Sequence, residues 1–142
     1  MQNHLEKFHK AQEKDYKTAL REIQNGRKDS HWMWYIFPQL KGLGRSGMAD
    51  YYGISNINEA KQYLADPVLG PRLLEISSAL LEIDTNDAEK VMGYPDHLKL
   101  KSCMTLFAAA DPHNEIFQKV LQKYFNGEKD QKTLWLLKQR DS

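Results

Sequence analysis

Helix-stopping residues punctuate this chain at short intervals: Gly26, Pro38, Gly53, Asp66-Pro67, Gly93, Asp111-Pro112 and Gly127. Between them apolar residues recur at three- and four-residue steps, the spacing that puts side chains on one helical face. A chain so patterned builds short helices rather than a few long ones. Leu5, Phe8, Gln12, Tyr16, Ala19, Leu20 and Ile23 mark the first, and Gly26 stops it because glycine takes positive φ without a Cβ clash. Asp29 or Ser30 is placed to cap a second helix through the aromatic cluster, which Pro38 ends. The string WMWYIF also suits a buried strand, but no other segment offers a convincing sheet partner.

Ser46 is expected to cap a short helix that Gly53 stops. Asn56 with Glu59 resembles a capping box opening a helix through Leu64. Leu69, Leu73, Ile76, Leu80 and Ile83 form the next stripe, with Pro71 in its first turn. Thr85 or Asn86 opens a short helix closed by Gly93. Asp96 caps another to Ala110, Asp111-Pro112 starts the next, and Asp130 to Leu137 is the last. The expected fold class is mainly α: a compact single-domain bundle of about seven to nine short helices over residues 1–142.

Charge narrows the function. With 20 basic and 19 acidic residues the net charge is +1, too even for the basic field a duplex nucleic-acid binder needs. Aromatic residues make up 11% of the chain, which opposes disorder. The start, MQNHLEKFHK, lacks the apolar core of a secretory signal, and Met33–Phe37 falls far short of the roughly 20 residues of a membrane span. A soluble cytoplasmic protein with no membrane association is expected. Cys103 is the single cysteine and lies in an apolar stretch, so it has no disulfide partner and reads as an inert thiol. No metal-ligand spacing and no cofactor motif stands in the chain.

Residues His31–Gly47, HWMWYIFPQLKGLGRSG, concentrate what chemistry there is. Gly42, Gly44 and Gly47 have the spacing G-x-G-x-x-G, but that fingerprint needs a strand before it and a long helix after, and neither is present. A looser reading stands: glycine-rich backbone turns several N–H groups one way and binds anions. Gly42, Gly44, Lys41, Arg45 and Ser46, with Gln39 beside them, are the candidate anion-binding group. Trp34 is a candidate stacking wall, its neighbours Trp32, Tyr35 and Phe37 being core candidates. His31 or His97 is the candidate proton-transfer group, and Lys99 or Lys101 the candidate stabiliser of developing charge. His4, His9 and His113 read as surface residues.

Nearly the whole chain, about Phe8 to Leu137, resembles the DUF1810 family of small uncharacterised proteins from bacteria, fungi and plants. The segments SHWMWYIFPQLKGLG, YYGI, AKQYLADPVLGPRL, LKLKSCMTLF and YFNGEKDQKTLWLL carry the resemblance. It implies a compact helical single domain and no established reaction, so no functional residue is carried over. Some members bear the label calpastatin, but an inhibitor of that kind is a disordered repeat chain and this composition is globular. The residues themselves suggest binding of, and action on, a small phosphorylated or nucleotide-like ligand of ADP-ribose type at 31–47. The competing expectation is a non-catalytic interaction module holding a protein partner, or a second copy, in an aromatic groove.

Overall fold

A computed structural model describes residues 4–140. Among them nine helices follow in order: α1 (Glu6–Gln24), α2 (Met33–Ile36), α3 (Gly47–Tyr51), α4 (Ile57–Ala65), α5 (Leu69–Leu81), α6 (Ala88–Met92), α7 (Asp96–Ala110), α8 (Glu115–Phe125) and α9 (Gln131–Arg140). The organising element is α7. Leu100, every residue from Ser102 to Ala108, and Ala110 are buried, so this helix is covered on nearly every side rather than along one stripe. Its small and hydroxyl-bearing positions make that tolerable. Ser102 Oγ donates to the Leu98 carbonyl and Thr105 Oγ1 to the Lys101 carbonyl, so neither hydroxyl is stranded. Around α7 pack α4, α6, α8 and α9, while α5 joins α1, α4 and α8, and α1 carries α2. The core is continuous from Phe8 and Ile23 through Tyr63, Leu73 and Ile76 to Phe107, Phe117 and Val120. Among the polar residues buried with it, Gln12 ties three helices together: its Nε2 donates to the Tyr35 carbonyl at 2.7 Å and to the Tyr63 hydroxyl at 2.9 Å, pinning α2 and α4 to α1.

The aromatic string is helical, but only for one turn. Neither Asp29 nor Ser30 caps it, and Trp32 occupies the cap position without a side-chain bond. Ser30 is spent elsewhere: its hydroxyl and its N–H both donate to Glu22, and the Asp29 N–H does the same. After α2 the chain makes an isolated parallel bridge between Leu40 and Ile54, with Lys41 N–H donating to the Ile54 carbonyl and Ile54 N–H to the Gln39 carbonyl. This ties residues 40–54 into a closed loop containing α3, and Gly53 is needed at the crossing because a Cβ there would lie 2.7 Å from Lys41 Cα.

Several helix starts differ from the expected ones by one to four residues. Asp87 caps α6, with Thr85 hydroxyl accepting the Asp87 N–H, so the cap falls after Thr85 and Asn86. Asp96 is the first residue of α7 rather than its cap, its carboxylate being occupied by two lysines. Asn114 caps α8 at Glu115, so Asp111-Pro112 forms a turn before the helix. Asn56 caps α4 as expected, while Glu59 reaches back to Ser55 N–H rather than to Asn56. Helix α9 runs past Leu137 to Arg140. His9 is half-buried rather than on the surface, with Nε2 2.8 Å from Asp66 Oδ2.

Helices α4 and α5 meet at Gly70, where an added Cβ would overlap the Leu64 carbonyl oxygen. Backbone cannot retreat as a side chain tip can, so Gly70→Ala is expected to cost about 2–3 kcal/mol. Thermal unfolding should show the midpoint lowered by several degrees; an unchanged midpoint would refute the close approach.

Candidate functional site

The site begins with Glu22 on the exposed side of α1. Its carboxylate accepts hydrogen bonds from Asp29 N–H (2.7 Å), Ser30 N–H (2.9 Å), Ser30 Oγ (2.6 Å) and the Trp32 indole N–H (2.8 Å). Partial burial alone would raise its pKa. The hydrogen bonds from Ser30, from the two backbone groups and from Trp32 outweigh that and hold it down from 4.5 to about 2. The result is a rigid bend at 29–32 that buries Trp32 and turns His31 outward.

Lys28 closes the other side of the bend. Its N–H donates to the Val91 carbonyl, joining the bend to α6. Its ammonium donates to the Ser30 carbonyl (2.6 Å), meets Asp96 Oδ2 at 2.9 Å and lies 5.0 Å from the Trp32 ring centre. With three partners it is only 7% exposed, which fits the rule that a buried charge is a paired one. Asp96 is shared: Lys99 Nζ meets its other oxygen at 3.3 Å and stands over the Trp34 ring at 5.3 Å.

Between these groups lies a cleft of about 350 Å³. Lys28, Asp29, His31, Met33 and Trp34 form one wall and Met92, Tyr94, Pro95 and Asp96 the other. Two polar groups there are unspent: among the described residues neither the His31 imidazole nor the Trp34 indole N–H has a hydrogen-bond partner. Tyr94 is 74% exposed and overhangs the rim. His97 stands behind it, its ring 5.8 Å from the Tyr94 ring, Nδ1 3.3 Å from the Gly93 carbonyl and Nε2 4.0 Å from Glu89.

Thus His31, Trp34 and, through Asp96, Lys99 come together, with His97 at the rim. The loop residues do not join them. Gln39 shares with Trp34 and Lys99 a second cavity of about 10 Å³, room for one water at most. Gly42 faces Arg140, whose Nη2 lies 2.8 Å from where a Cβ would stand. Gly44 is packed on Ala49, Lys41 reaches toward Asp50 at 4.0 Å, and Arg45 is exposed without a polar partner among the described residues. The Ser46 hydroxyl is committed to Ala49 N–H as the α3 cap. Lys101 points elsewhere, to Glu128 at 3.0 Å and the Phe125 ring. Cys103 is fully buried, and burial pushes its thiol pKa well up. Among the described residues no group of three or more His, Cys, Asp or Glu is placed to hold a metal, and no helix is long and apolar enough to cross a membrane.

Glu22, Lys28 and Tyr94 were not singled out by sequence reasoning. Glu22 adjoins the core residue Ile23 on a charged helix face, where a structural acid looks like any other. A folded carboxylate with a lowered pKa adds stability at pH above its unfolded value and loses it as pH falls through the folded one. For Glu22 that window runs from about pH 5 to pH 2, and with solvent still reaching the carboxylate the contribution is about 1–2 kcal/mol. Glu22→Gln is expected to lower stability by about 2 kcal/mol at pH 7, because an amide oxygen cannot satisfy every donor. Urea unfolding from pH 7 to pH 3 should show the wild-type advantage shrinking as pH falls; a gap independent of pH would contradict the account.

The chain matches the model of the DUF1810 family, described as a protein of unknown function, over residues 2–137. It is also similar to the crystal structure of the conserved hypothetical protein Rv1873 from Mycobacterium tuberculosis. That match has a TM-score of 0.93 and 45% sequence identity, and covers 94% of this chain and 96% of that one. No curated protein matches. The chain belongs to the DUF1810 family.

Proposed function

We propose that this protein binds a small, phosphorylated or nucleotide-like ligand in the cleft between His31–Trp34 and Tyr94–Asp96. The observation that carries the reading is the convergence there of the Trp34 and Tyr94 rings with Lys28 and Asp96, while Lys99 adjoins the cleft through the other Asp96 oxygen and the Trp34 ring. Asp29 and Asp96 balance Lys28 and Lys99, so the attraction for an anion is local to the Lys99 ammonium rather than a net field. Lys28 is fully engaged, which leaves Lys99 as the ammonium with donors to spare. A planar ring would lie against Trp34 or Tyr94, with the Trp34 N–H available to an acceptor. The volume of about 350 Å³ stands at the small end of ligand pockets, roughly 300–1,000 Å³, which favours a mononucleotide or one half of an ADP-ribose-type ligand.

If the ligand is also transformed, His31 is the group for proton transfer. It is exposed at the cleft wall and its ring nitrogens are not used by the fold. His97 is the poorer candidate, since its Nδ1 already faces the Gly93 carbonyl. The glycine loop then serves as a neighbour of the site rather than as the phosphate cradle itself.

Thermal unfolding against nucleoside monophosphates, ADP-ribose, sugar phosphates and inorganic phosphate tests this. A ligand at about a hundred times its Kd adds roughly 2.7 kcal/mol and raises the midpoint by several degrees. Wild type and Arg45→Ala should both shift, while Trp34→Ala and Lys99→Ala should lose the shift. Loss in Arg45→Ala alone would return the anion to the glycine loop, and no shift with any compound would remove the small-ligand reading.

A further inference from the structure

A larger concavity lies on another face, between α4 and α9, which both pack on α7. It measures about 1060 Å³, and Ile57, Ala109, Leu134 and Trp135 line it together with Lys132 and Lys138. Helix α9 anchors itself with Thr133 and Leu137, which are buried, and turns Leu134, Trp135 and Lys138 into the groove at helical spacing. Trp135 is 59% exposed, and it makes no ring stack, cation–π contact or hydrogen bond among the described residues. Burying such a ring is worth more than burying any other side chain, and a monomer gains nothing by leaving it in water.

We infer that this groove docks an amphipathic helix of a partner protein, with apolar residues on its inner face and carboxylates along its flanks. Shape and charge both argue for that occupant. The ten residues of α9 span about 15 Å, matching about three turns of a helix laid alongside. Ala109 on the floor has no bulk, so a partner backbone can approach α7 closely. Lys132 and Lys138 line the groove with no carboxylate partner among the described residues, so both ammonium groups are open to an acidic occupant. Their free charge asks for acidic flanks on the occupant. The same charge argues against a second copy of this chain, because an antiparallel two-fold pairing of α9 with itself brings lysine against lysine, Lys132 of each copy facing Lys138 of the other.

Selection from a displayed library of helix-forming peptides on the intact protein, with counter-selection on Trp135→Ala, tests the inference. The expected pool carries apolar residues at i, i+3 or i+4, and i+7, flanked by Asp or Glu. Peptides made from it should bind wild type about tenfold or more tighter than either Trp135→Ala or the double variant Lys132→Glu/Lys138→Glu. Their affinity should fall as salt rises, and wild-type emission should shift to the blue on binding. Both variants change exposed side chains, and unchanged circular dichroism and Tm would establish that they fold. The inference is overturned by an empty pool, by a basic or uncharged consensus, or by binding that survives the double charge reversal. Dimerisation on sedimentation that Trp135→Ala abolishes would overturn it too, giving the groove to a second copy.

Discussion

One carboxylate decides the course of the chain between α1 and α2. Glu22 takes four donors from Asp29, Ser30 and Trp32, and in doing so prevents the bend from continuing as helix. Trp32 can then be buried with its N–H satisfied, which a fully buried indole requires. Everything proposed for the cleft is downstream of this. His31 faces outward because Trp32 faces inward, and Trp34 is half-buried because the single turn of α2 starts where Glu22 releases the backbone. Lys28 copies the logic with opposite sign, collecting a carbonyl, a carboxylate and a ring around one ammonium.

The helical architecture was legible because it rests on two local signals, apolar spacing and stop residues. Gly26 and Gly127 take the positive φ their positions ask for, and Ser46 and Asn56 cap the helices they precede. The starts that moved share a cause. At Asp96 and Ser30 the oxygen able to cap was claimed from elsewhere, by Lys28 and by Glu22, and sequence spacing carries no record of that competition. The same limit governs the site. His31 and Trp34 are neighbours in the chain and were read together, and Lys99 joins them only because α7 passes beside the bend. Lys101 is two residues further on and on another face, which helical geometry alone forbids it to share. The glycine spacing was the misleading signal: Gly42 and Gly44 answer to Arg140 and Ala49 in the loop, not to space kept for a ligand.

Asp96 gives the cleft a character that a bare pair of lysines would lack. Lys28 and Lys99 each meet one oxygen of Asp96, whose charge offsets their mutual repulsion. An anion bound as proposed would therefore compete with a resident carboxylate for Lys99. A singly charged carboxylate offers little that Asp96 does not already supply, whereas a doubly charged phosphate offers more charge and more acceptors. On the proposed reading the arrangement would select against the commonest small anions as well as receive a phosphate.

The bridge at Leu40 and Ile54 has a consequence for how this family can vary. The two backbone hydrogen bonds close residues 40–54 from inside, so the path of the rest of the chain does not depend on the length of what lies between. Lengthening an exposed stretch such as Arg45–Ser46 costs only about 0.6 kcal/mol for each doubling of the loop. That makes the segment a natural insertion point. New sequence, or an engineered tag, can be accommodated there beside the cleft while the helices keep their register.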